Sequence, residues 1–268
     1  MQHVAIFGCP RSGTSWLGQI FNSAPGVLYR YQPLFSYEFK DWFGRHGLNE
    51  LTLAGFHAAL RDASSDFVLQ ALRPTKSTPT HLIWKEVRYH QHMPALLSLR
   101  GLRHMVYMFR PALDVINSWY LAPREFRAGQ DIHAEYLDAP SKNTDTCEFN
   151  GLNRWKASMR QALALRERHP GRLLLLSYDR LRDDPPAQTQ ALFDTIGLPL
   201  GGATRAFVQQ STSRRETDAY SVFRAGRTPI ELPVAIVQAL RADPEVHELL
   251  QRAEAAALSC EGLQSTTV

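Results

Sequence analysis

The sequence predicts an α/β fold in which a parallel sheet is flanked by helices. Four short apolar runs have the length and composition of strands buried on both faces, namely residues 3–7, 82–87, 105–109 and 173–177. Longer segments with apolar residues at helical spacing separate them. Because strands that alternate with helices form parallel sheets, this order of segments predicts the class.

The first predicted unit is a strand, a glycine-containing loop and a helix that ends at Pro25-Gly26. The remaining predicted helices cover residues 54–62, 93–99, 112–120, 152–168, 187–196 and 232–257, the last with a break near Pro244. Two segments without clean periodicity, 122–150 and 210–229, are rich in Arg, Ser, Thr, Asp and Gly. Irregular segments of that length in a compact domain are usually functional or mobile.

Composition bounds the class of protein further. The chain has 268 residues, of which 44% are hydrophobic, so it carries enough apolar material to bury a large core. No Pro/Ser-rich linker divides the chain, which favours a single domain that spans residues 1–268. The net charge is only +4 and no run of five basic residues occurs, so no nucleic-acid footprint is visible. The oligomeric state stays open.

Cysteine usage and hydropathy predict a cytoplasmic location. The three cysteines, Cys9, Cys147 and Cys260, are odd in number and far apart, a pattern typical of reduced cytosolic proteins. Their spacing indicates no zinc site, and no carboxylate cluster suggests another metal. No basic leader precedes the first apolar segment, and no apolar stretch reaches eighteen residues. We therefore expect neither a signal peptide nor a transmembrane segment.

The loop after the first strand, Gly8-Cys9-Pro10-Arg11-Ser12-Gly13-Thr14-Ser15, has the length of a phosphate-binding P-loop. Thr14 stands where a nucleotide triphosphatase has lysine, and the cation has moved to Arg11. The amides of such a loop and the positive end of the following helix bind phosphate whichever side chains are present. The substitution disfavours ATP or GTP hydrolysis and favours a ligand with a single 5′-phosphate and an anionic group to transfer.

A second candidate anion site follows the predicted strand 105–109. Arg110 comes at its carboxyl end, and Asp114 and Ser118 lie four and eight residues further on. At 3.6 residues per turn these three share one face of a helix. Open α/β sheets bind ligands at the carboxyl ends of their strands, so this site is expected close to the first loop.

Both segments resemble motifs of the sulfotransferases that use 3′-phosphoadenosine-5′-phosphosulfate (PAPS). PRSGTSW is similar to their 5′-phosphosulfate loop, and FRPALDVINSWY to their 3′-phosphate motif. Looser similarities are Lys85 at a strand end, the segment around Tyr178, and the late basic segment FRAGR. The donor-binding residues that the resemblance implies are Arg11, Ser12, Gly13, Thr14, Ser15, Trp16, Arg110, Ser118, Tyr178, Arg224 and Arg227. Trp16 is equally interpretable as a core residue of the first helix.

The resemblance implies sulfuryl transfer from PAPS, with 3′,5′-adenosine bisphosphate (PAP) as product and no metal. Charge builds on the departing bridging oxygen, and oriented amides and cations stabilise it. Arg11, Lys85 and the loop amides are assigned to this leaving group, and Ser118 with Arg110 to the 3′-phosphate. The segment FNSAPGVLYRYQPLFSYEF resembles the carbohydrate enzymes of the family, so the expected acceptor is a hydroxyl, less favourably an amine, of a carbohydrate or another small-molecule alcohol.

The general base is the open question of the sequence. Val87 and Gln32 stand where members of the family have a basic histidine or glutamate, and neither can take a proton. Glu38 is the preferred base, with Glu86 and a histidine as alternatives. Two other classes stay open: a P-loop phosphotransferase, and a non-catalytic nucleotide-binding module, which the absent base motivates.

Overall fold

A computed structural model of the chain describes residues 1–70, 78–223 and 225–258. Within them, five parallel strands form one sheet. They are β1 (Gln2–Phe7), β2 (Val27–Tyr31), β3 (His81–Lys85), β4 (His104–Phe109) and β5 (Leu173–Ser177), in the order β2-β3-β1-β4-β5. The predicted α/β class with a parallel sheet flanked by helices is confirmed.

The centre of the sheet is β1, which pairs with β3 on one side and β4 on the other. In register, Ala5 lies opposite Trp84 of β3 and Met105 of β4. The connection from β3 to β4 therefore crosses β1. Ligands of open α/β sheets bind beyond the carboxyl ends of the strands where the order reverses, which here is the edge after β1, β3 and β4.

The helices of the described residues cover both faces of the sheet. They are α1 (Thr14–Asn22), α2 (Trp42–His46), α3 (Glu50–Arg61), α4 (Asp66–Leu69), α5 (Met93–Ser98), α6 (Ala112–Tyr120), α7 (Ile132–Glu135), α8 (Leu152–Arg168), α9 (Tyr178–Asp183), α10 (Pro185–Ile196), α11 (Gly202–Ser213), α12 (Val234–Ala242) and α13 (Pro244–Ala256). No helix in these parts of the chain is both long and apolar enough to cross a bilayer.

Alternation along the strands divides the core between the two faces. In β1, Val4 and Ile6 belong to one apolar cluster, and Ala5 and Phe7 belong to the other. All four are fully buried, because neighbouring side chains of a strand point to opposite faces and helices cover both. The apolar runs therefore read as continuous rather than alternating.

The four predicted strands are confirmed to within two residues, but β2 was not predicted from the sequence. Its segment, VLYRY, contains Arg30, which breaks the apolar pattern. The Arg30 side chain is nevertheless buried, because its guanidinium donates to the carbonyl oxygens of Leu60 and Arg61 at the end of α3. Charge that a helix end compensates is a tertiary feature, which a local pattern does not show.

Two further element boundaries differ from the prediction, and one predicted break is confirmed. Strand β3 ends at Lys85, so Val87 lies in the following turn rather than in the strand. Helix α11 extends to Ser213, inside the segment expected to be irregular from 210 to 229. The expected break near Pro244 is confirmed: Asp243 separates α12 from α13, and its carboxylate accepts from two amides of the first turn of α13.

Candidate active site

The loop between β1 and α1, residues 8–13, lies in direct contact with β4 and α9. A Cβ at Gly8 would lie 2.4 Å from the carbonyl oxygen of Met108. Gly13 has a φ of 91° and its Cβ position is 2.4 Å from a ring carbon of Tyr178. Both glycines are thus required by space, and Gly13 also by its left-handed backbone.

This loop has the features of an anion-binding turn. Gly13 is the N-cap residue of α1 and has no side chain with which to accept from the amides of the first turn. The positive end of the α1 dipole adds to the attraction for a phosphate. Ser12 is buried, and its amide donates to the carbonyl oxygen of Cys9 at 3.1 Å, which closes the turn.

Arg11 holds a central position in the loop. Its backbone is left-handed, with a φ of 69°. Its guanidinium donates to Ser118 Oγ at 3.2 Å, to Glu125 Oε1 at 3.1 Å and to the carbonyl oxygen of Ala219 at 2.9 Å. The side chain therefore joins the loop to α6, to the segment after α6 and to the late segment around Tyr220, above whose ring the guanidinium carbon lies at 5.4 Å.

Arg110 follows β4 and forms the second cation of the site. Its guanidinium donates to the carbonyl oxygen of Arg11 at 3.3 Å and lies over the ring of Tyr178, 4.4 Å from the ring centre. Burial lowers the pKa of Arg110, and its Nε has no hydrogen-bond partner among the described residues. A buried guanidinium with an unused donor is a good partner for a bound phosphate.

Lys85, the last residue of β3, lies between the start of α1 and the end of β2. Its Nζ donates to Ser15 Oγ at 3.3 Å and lies 4.3 Å from the centre of the Tyr31 ring. Burial lowers the pKa of Lys85, whereas Tyr31, Glu86 and Glu125 act in the opposite direction. The carboxylate of Glu125 therefore acts electrostatically on both Lys85 and Arg11.

These residues line a cleft of about 380 Å³ at the carboxyl edge of the sheet. Its basic lining residues, among those the structure describes, are Arg11, Lys85, Arg88, Arg110, Lys142 and Arg182, and its acidic lining residue is Glu125. Trp16 and Tyr178 also contribute to the lining and contact each other edge to face. The basic lining residues outnumber the acidic one, and such a lining fits a ligand with several negative charges.

A comparison with protein families gives a match over residues 3–201 to the sulfotransferase family. The chain belongs to the sulfotransferase family. The enzyme class is therefore that of a sulfotransferase, and the resemblance to the PAPS-dependent enzymes carried by the two motifs is confirmed. A comparison with curated protein sequences gives no match.

Solved sulfotransferase structures share the fold. The sulfotransferase domain of the olefin synthase of Synechococcus PCC 7002 is 18% identical, and the match covers 95% of this chain and 94% of that domain with a TM-score of 0.52. A sulfotransferase from Alicyclobacillus acidocaldarius is 13% identical, with 95% of each chain covered and a TM-score of 0.55. Mouse sulfotransferase SULT7A1, complexed with PAP, is 13% identical, with 95% and 89% covered and a TM-score of 0.55.

The structure brings most of the sequence-predicted donor residues to the cleft. Those that line it are Arg11, Gly13, Thr14, Ser15, Trp16, Lys85, Arg110, Ser118 and Tyr178. Ser12 of the loop is buried and is not among the lining residues. Trp16 is both a lining residue and a core residue, since its ring joins an apolar cluster and its Nε1 donates to Ser211 Oγ at 2.9 Å.

The late basic segment is only partly accounted for. Gly226 and Thr228 line the cleft, but Arg227 between them is exposed and does not. Arg224 lies outside the described residues. The role expected for Arg224 and Arg227, closing over the 3′-phosphate, stays a prediction.

The cleft does not include the carboxylates expected to act as base. Glu38 is exposed, and its carboxylate accepts from the amide of Ser65 at 3.4 Å. Glu86 is fully buried, and its Oε1 accepts from the amide of Leu34 at 2.7 Å. Burial raises the pKa of Glu86 to about 8. Glu86 therefore anchors the turn after β2 rather than facing the cleft.

The histidine alternatives also lie away from the cleft. His90 is buried, and its Nδ1 is 2.7 Å from Ser158 Oγ beneath the phosphate loop. Burial lowers the pKa of His90 to about 3, so its ring is neutral at physiological pH. His92 stacks on Tyr89. Among the described residues, no group of three His, Cys, Asp or Glu side chains is arranged to hold a metal.

Sequence reasoning missed Glu125, the carboxylate that does line the cleft. It lies in the irregular segment after α6, seven residues beyond Ser118. The length and irregularity of that segment indicated a functional or mobile region, but periodicity does not select one residue within a loop. Its place in the cleft lining and its ion pair with Arg11 identify Glu125 as part of the site.

Proposed function

We propose that this sulfotransferase transfers the sulfuryl group of PAPS to a hydroxyl group of a small-molecule acceptor such as a carbohydrate. The observation that carries the proposal is the pairing of two anion sites in one cleft. The glycine loop with Arg11 forms one, and Arg110 with Ser118 forms the other. PAPS carries anionic groups on both the 5′ and the 3′ side of its ribose.

The two sites divide the donor between them. The amides at the start of α1 and Arg11 bind the 5′-phosphosulfate, as expected for a helix N-terminus with a cation beside it. Arg110, whose Nε is unpartnered, and Ser118 bind the 3′-phosphate. Trp16 and Tyr178 offer aromatic surface for the adenine. The PAP complex of the structurally similar mouse sulfotransferase supports this donor.

Sulfuryl transfer then requires charge stabilisation at the bridging oxygen. The bond from sulfur to the acceptor oxygen forms while the bond from sulfur to the bridging oxygen breaks, and PAP leaves with that oxygen and its electron pair. In this proposal Lys85 and Arg11 stabilise the developing charge, which their contacts with Ser15 and Ser118 beside the loop support. Arg11 first has to give up one of its contacts to Ser118, Glu125 or the Ala219 carbonyl.

Glu125 is the proton acceptor in this proposal. It is the carboxylate of the cleft lining, it is 3.1 Å from Arg11, and its charge acts on Lys85. It thus lies beside the two cations at the reacting centre, whereas Glu38 and Glu86 do not line the cleft. When Arg11 turns to the leaving group, the Glu125 carboxylate is released to take the acceptor proton.

Two other readings give different outcomes in one experiment. A P-loop phosphotransferase requires Mg²⁺-ATP, and Thr14 stands where its lysine would contact the terminal phosphates. A non-catalytic module binds the nucleotide without turnover. A thermal-shift titration with PAP, 5′-AMP, ADP and Mg²⁺-ATP distinguishes a sulfotransferase from a phosphotransferase. Release of PAP from PAPS, measured with a panel of acceptors, distinguishes an enzyme from a non-catalytic module.

We expect selective stabilisation by PAP without metal. A ligand at a hundred times its dissociation constant adds about 2.7 kcal/mol to the folded state, which is readily measured. AMP lacks the 3′-phosphate that Arg110 and Ser118 bind, so it should stabilise less. A preference for Mg²⁺-ATP, or equal shifts with PAP and AMP, would overturn the donor assignment.

A further inference from the structure

Three cations of the cleft lining are not assigned to the donor: Arg182, which pairs with acidic neighbours, and Arg88 and Lys142, which lie on one wall. This wall consists of Gln32, Arg88, Lys142 and Asn150, which we call the acceptor wall. Resting on the proposed function, we propose that the acceptor wall binds an anionic group, a carboxylate, sulfate or phosphate, that the acceptor carries besides its reacting hydroxyl.

Arg88 is held in place by three contacts. Its Nε donates to Glu148 Oε1 at 2.7 Å and its Nη1 to Gln32 Oε1 at 3.1 Å. The guanidinium carbon lies 3.8 Å above the centre of the Phe35 ring. These contacts fix the plane of the guanidinium, so its remaining Nη2 donor is presented in a defined direction.

Gln32 supports the same wall from the end of β2. Its backbone is left-handed, with a φ of 40°, and the residue is buried although it lines the cleft. A left-handed residue other than glycine costs free energy and persists where its surroundings hold it. Arg88 donates to the Oε1 atom of the Gln32 amide, so the Nε2 group of the amide is not used in this contact. Gln32 thus presents its Nε2 group as a donor in the cleft.

Lys142 supplies a cation that no described group neutralises. It lines the cleft, and its Nζ makes no hydrogen bond or ion pair with the described residues. Its backbone amide donates to the Ala139 carbonyl at 2.9 Å, so the residue starts from an ordered turn. In the same segment Asn143 and Glu148 both bond Asn150.

The acceptor wall is separate from the donor residues. Arg88 contacts Gln32, Phe35 and Glu148, and none of these contacts Arg11, Arg110 or Ser118. Lys85 lies between the two groups, bonded to Ser15 of the phosphate loop and placed over Tyr31 of β2. An acceptor on the wall therefore meets the donor at Lys85, where the sulfuryl group is expected.

Chemistry favours an anion over a neutral sugar at this wall. A neutral hydroxyl compound that covers Lys142 removes its charge from water without supplying a counterion, which is costly. A carboxylate, sulfate or phosphate accepts from Arg88, Gln32 and Lys142 together through charge-assisted hydrogen bonds. The wall thus discriminates between anionic and neutral acceptors of similar shape.

The test separates this inference from the donor assignment. The protein is first saturated with PAP, so that the donor phosphate sites are filled. Calorimetric titrations then use inorganic phosphate, glucuronate and glucose as probes. We expect saturable binding of phosphate or glucuronate at least about ten-fold tighter than that of glucose. Whichever of the two anions binds tighter identifies the oxyacid that the wall prefers.

Variants locate the anion. Lys142→Gln should weaken its binding about ten-fold, and Arg88→Lys should weaken it too, because lysine cannot replace the planar fork. Lys40→Gln removes the same charge from an exposed residue outside the cleft and should change nothing. Lys85→Met alters the position where the sulfuryl group is expected, called here the transfer position, and shows whether the anion binds there instead.

The outcomes are distinct. If PAP itself does not bind, the proposed function fails and the inference fails with it. If PAP binds but the anions bind no better than glucose, the inference alone is overturned. It is also overturned if Lys85→Met abolishes anion binding while Lys142→Gln leaves it intact, since the anion then occupies the transfer position.

Discussion

Arg11 and Glu125 form an ion pair with a separation of 3.1 Å between Nη1 and Oε1, although they lie 114 residues apart in the chain. The pair joins the phosphate loop to the segment after α6. Because Arg11 also bonds Ser118, one side chain connects the proposed leaving-group site, 3′-phosphate site and base.

The ion pair leads to the first prediction, for Glu125→Gln. Without a carboxylate to take the acceptor proton, kcat should fall by about 100-fold or more. PAP binding should not weaken, because the substitution removes a negative charge from a site for an anion. Steady-state kinetics and PAP titrations measure the two quantities. The matched control is Glu38→Gln, for which we expect wild-type kcat; a loss in the control alone would reinstate Glu38 as base.

Arg110 should determine selectivity for the 3′-phosphate. Arg110→Gln removes a charge-assisted contact and should weaken PAP binding about ten- to a hundred-fold. Binding of 5′-AMP, which has no 3′-phosphate, should change little, so the preference for PAP over AMP should shrink. Calorimetric titration with PAP and with 5′-AMP measures this preference. Equal weakening for the two nucleotides would instead assign Arg110 to the 5′ side or to the structure of the loop.

Gly13 tests the contact between the phosphate loop and Tyr178. Gly13→Ala introduces a Cβ 2.4 Å from the Tyr178 ring in a backbone of positive φ, so both the loop and the ring must move. We expect PAP affinity to fall about ten-fold, the size of one lost hydrogen bond or stacking contact.

The control for the strain itself is Gly129→Ala. Gly129 has a φ of 88°, and its Cβ position has nothing within 4 Å. Both variants should lose about 1 kcal/mol of stability from the left-handed backbone. Only Gly13→Ala should lose PAP affinity. Equal affinities in the two variants would show that the close approach to Tyr178 plays no part in donor binding.

Glu86 should make stability depend on pH. Burial raises its pKa to about 8 in the folded protein, above the ordinary 4.5, so the folded state keeps a proton that the unfolded state releases. The free energy of unfolding should therefore fall as pH rises from about 4.5 to about 8 and level off above. Glu86→Gln removes this dependence and retains an acceptor for the Leu34 amide.

Denaturant unfolding between pH 5 and pH 9 measures the effect. The stability of Glu86→Gln relative to the wild type should rise with pH by about 4 kcal/mol, from roughly three pH units at about 1.4 kcal/mol each. Glu38→Gln, which alters an exposed carboxylate, should show no such trend. A difference between wild type and Glu86→Gln that does not vary with pH would contradict the buried, proton-holding carboxylate.

Local features of the sequence predicted much of the fold. The runs that became β1, β3, β4 and β5 are apolar because both of their faces are covered, and that composition is visible without any partner. The edge strand β2 was missed because its Arg30 is compensated only by the carbonyl oxygens of α3. A pattern of hydropathy does not report such a distant acceptor.

The donor half of the candidate site was likewise predictable, since its signals are local. A glycine loop before a helix and an arginine followed by a serine two turns later are short-range patterns with a direct physical meaning. Arg11, Arg110 and Ser118 meet in one cleft because each follows a strand of one parallel sheet or the helix after it.

By itself, then, the sequence determined the fold class, the phosphate-binding loop and the family. Only the tertiary structure decided which carboxylate faces the cleft and which cations form the acceptor wall. Glu125, Arg88 and Lys142 come from loops without periodicity, and their contacts connect residues far apart in the chain. Loop conformation depends on such long-range contacts rather than on local propensity, so these residues could be identified only once the chain was folded.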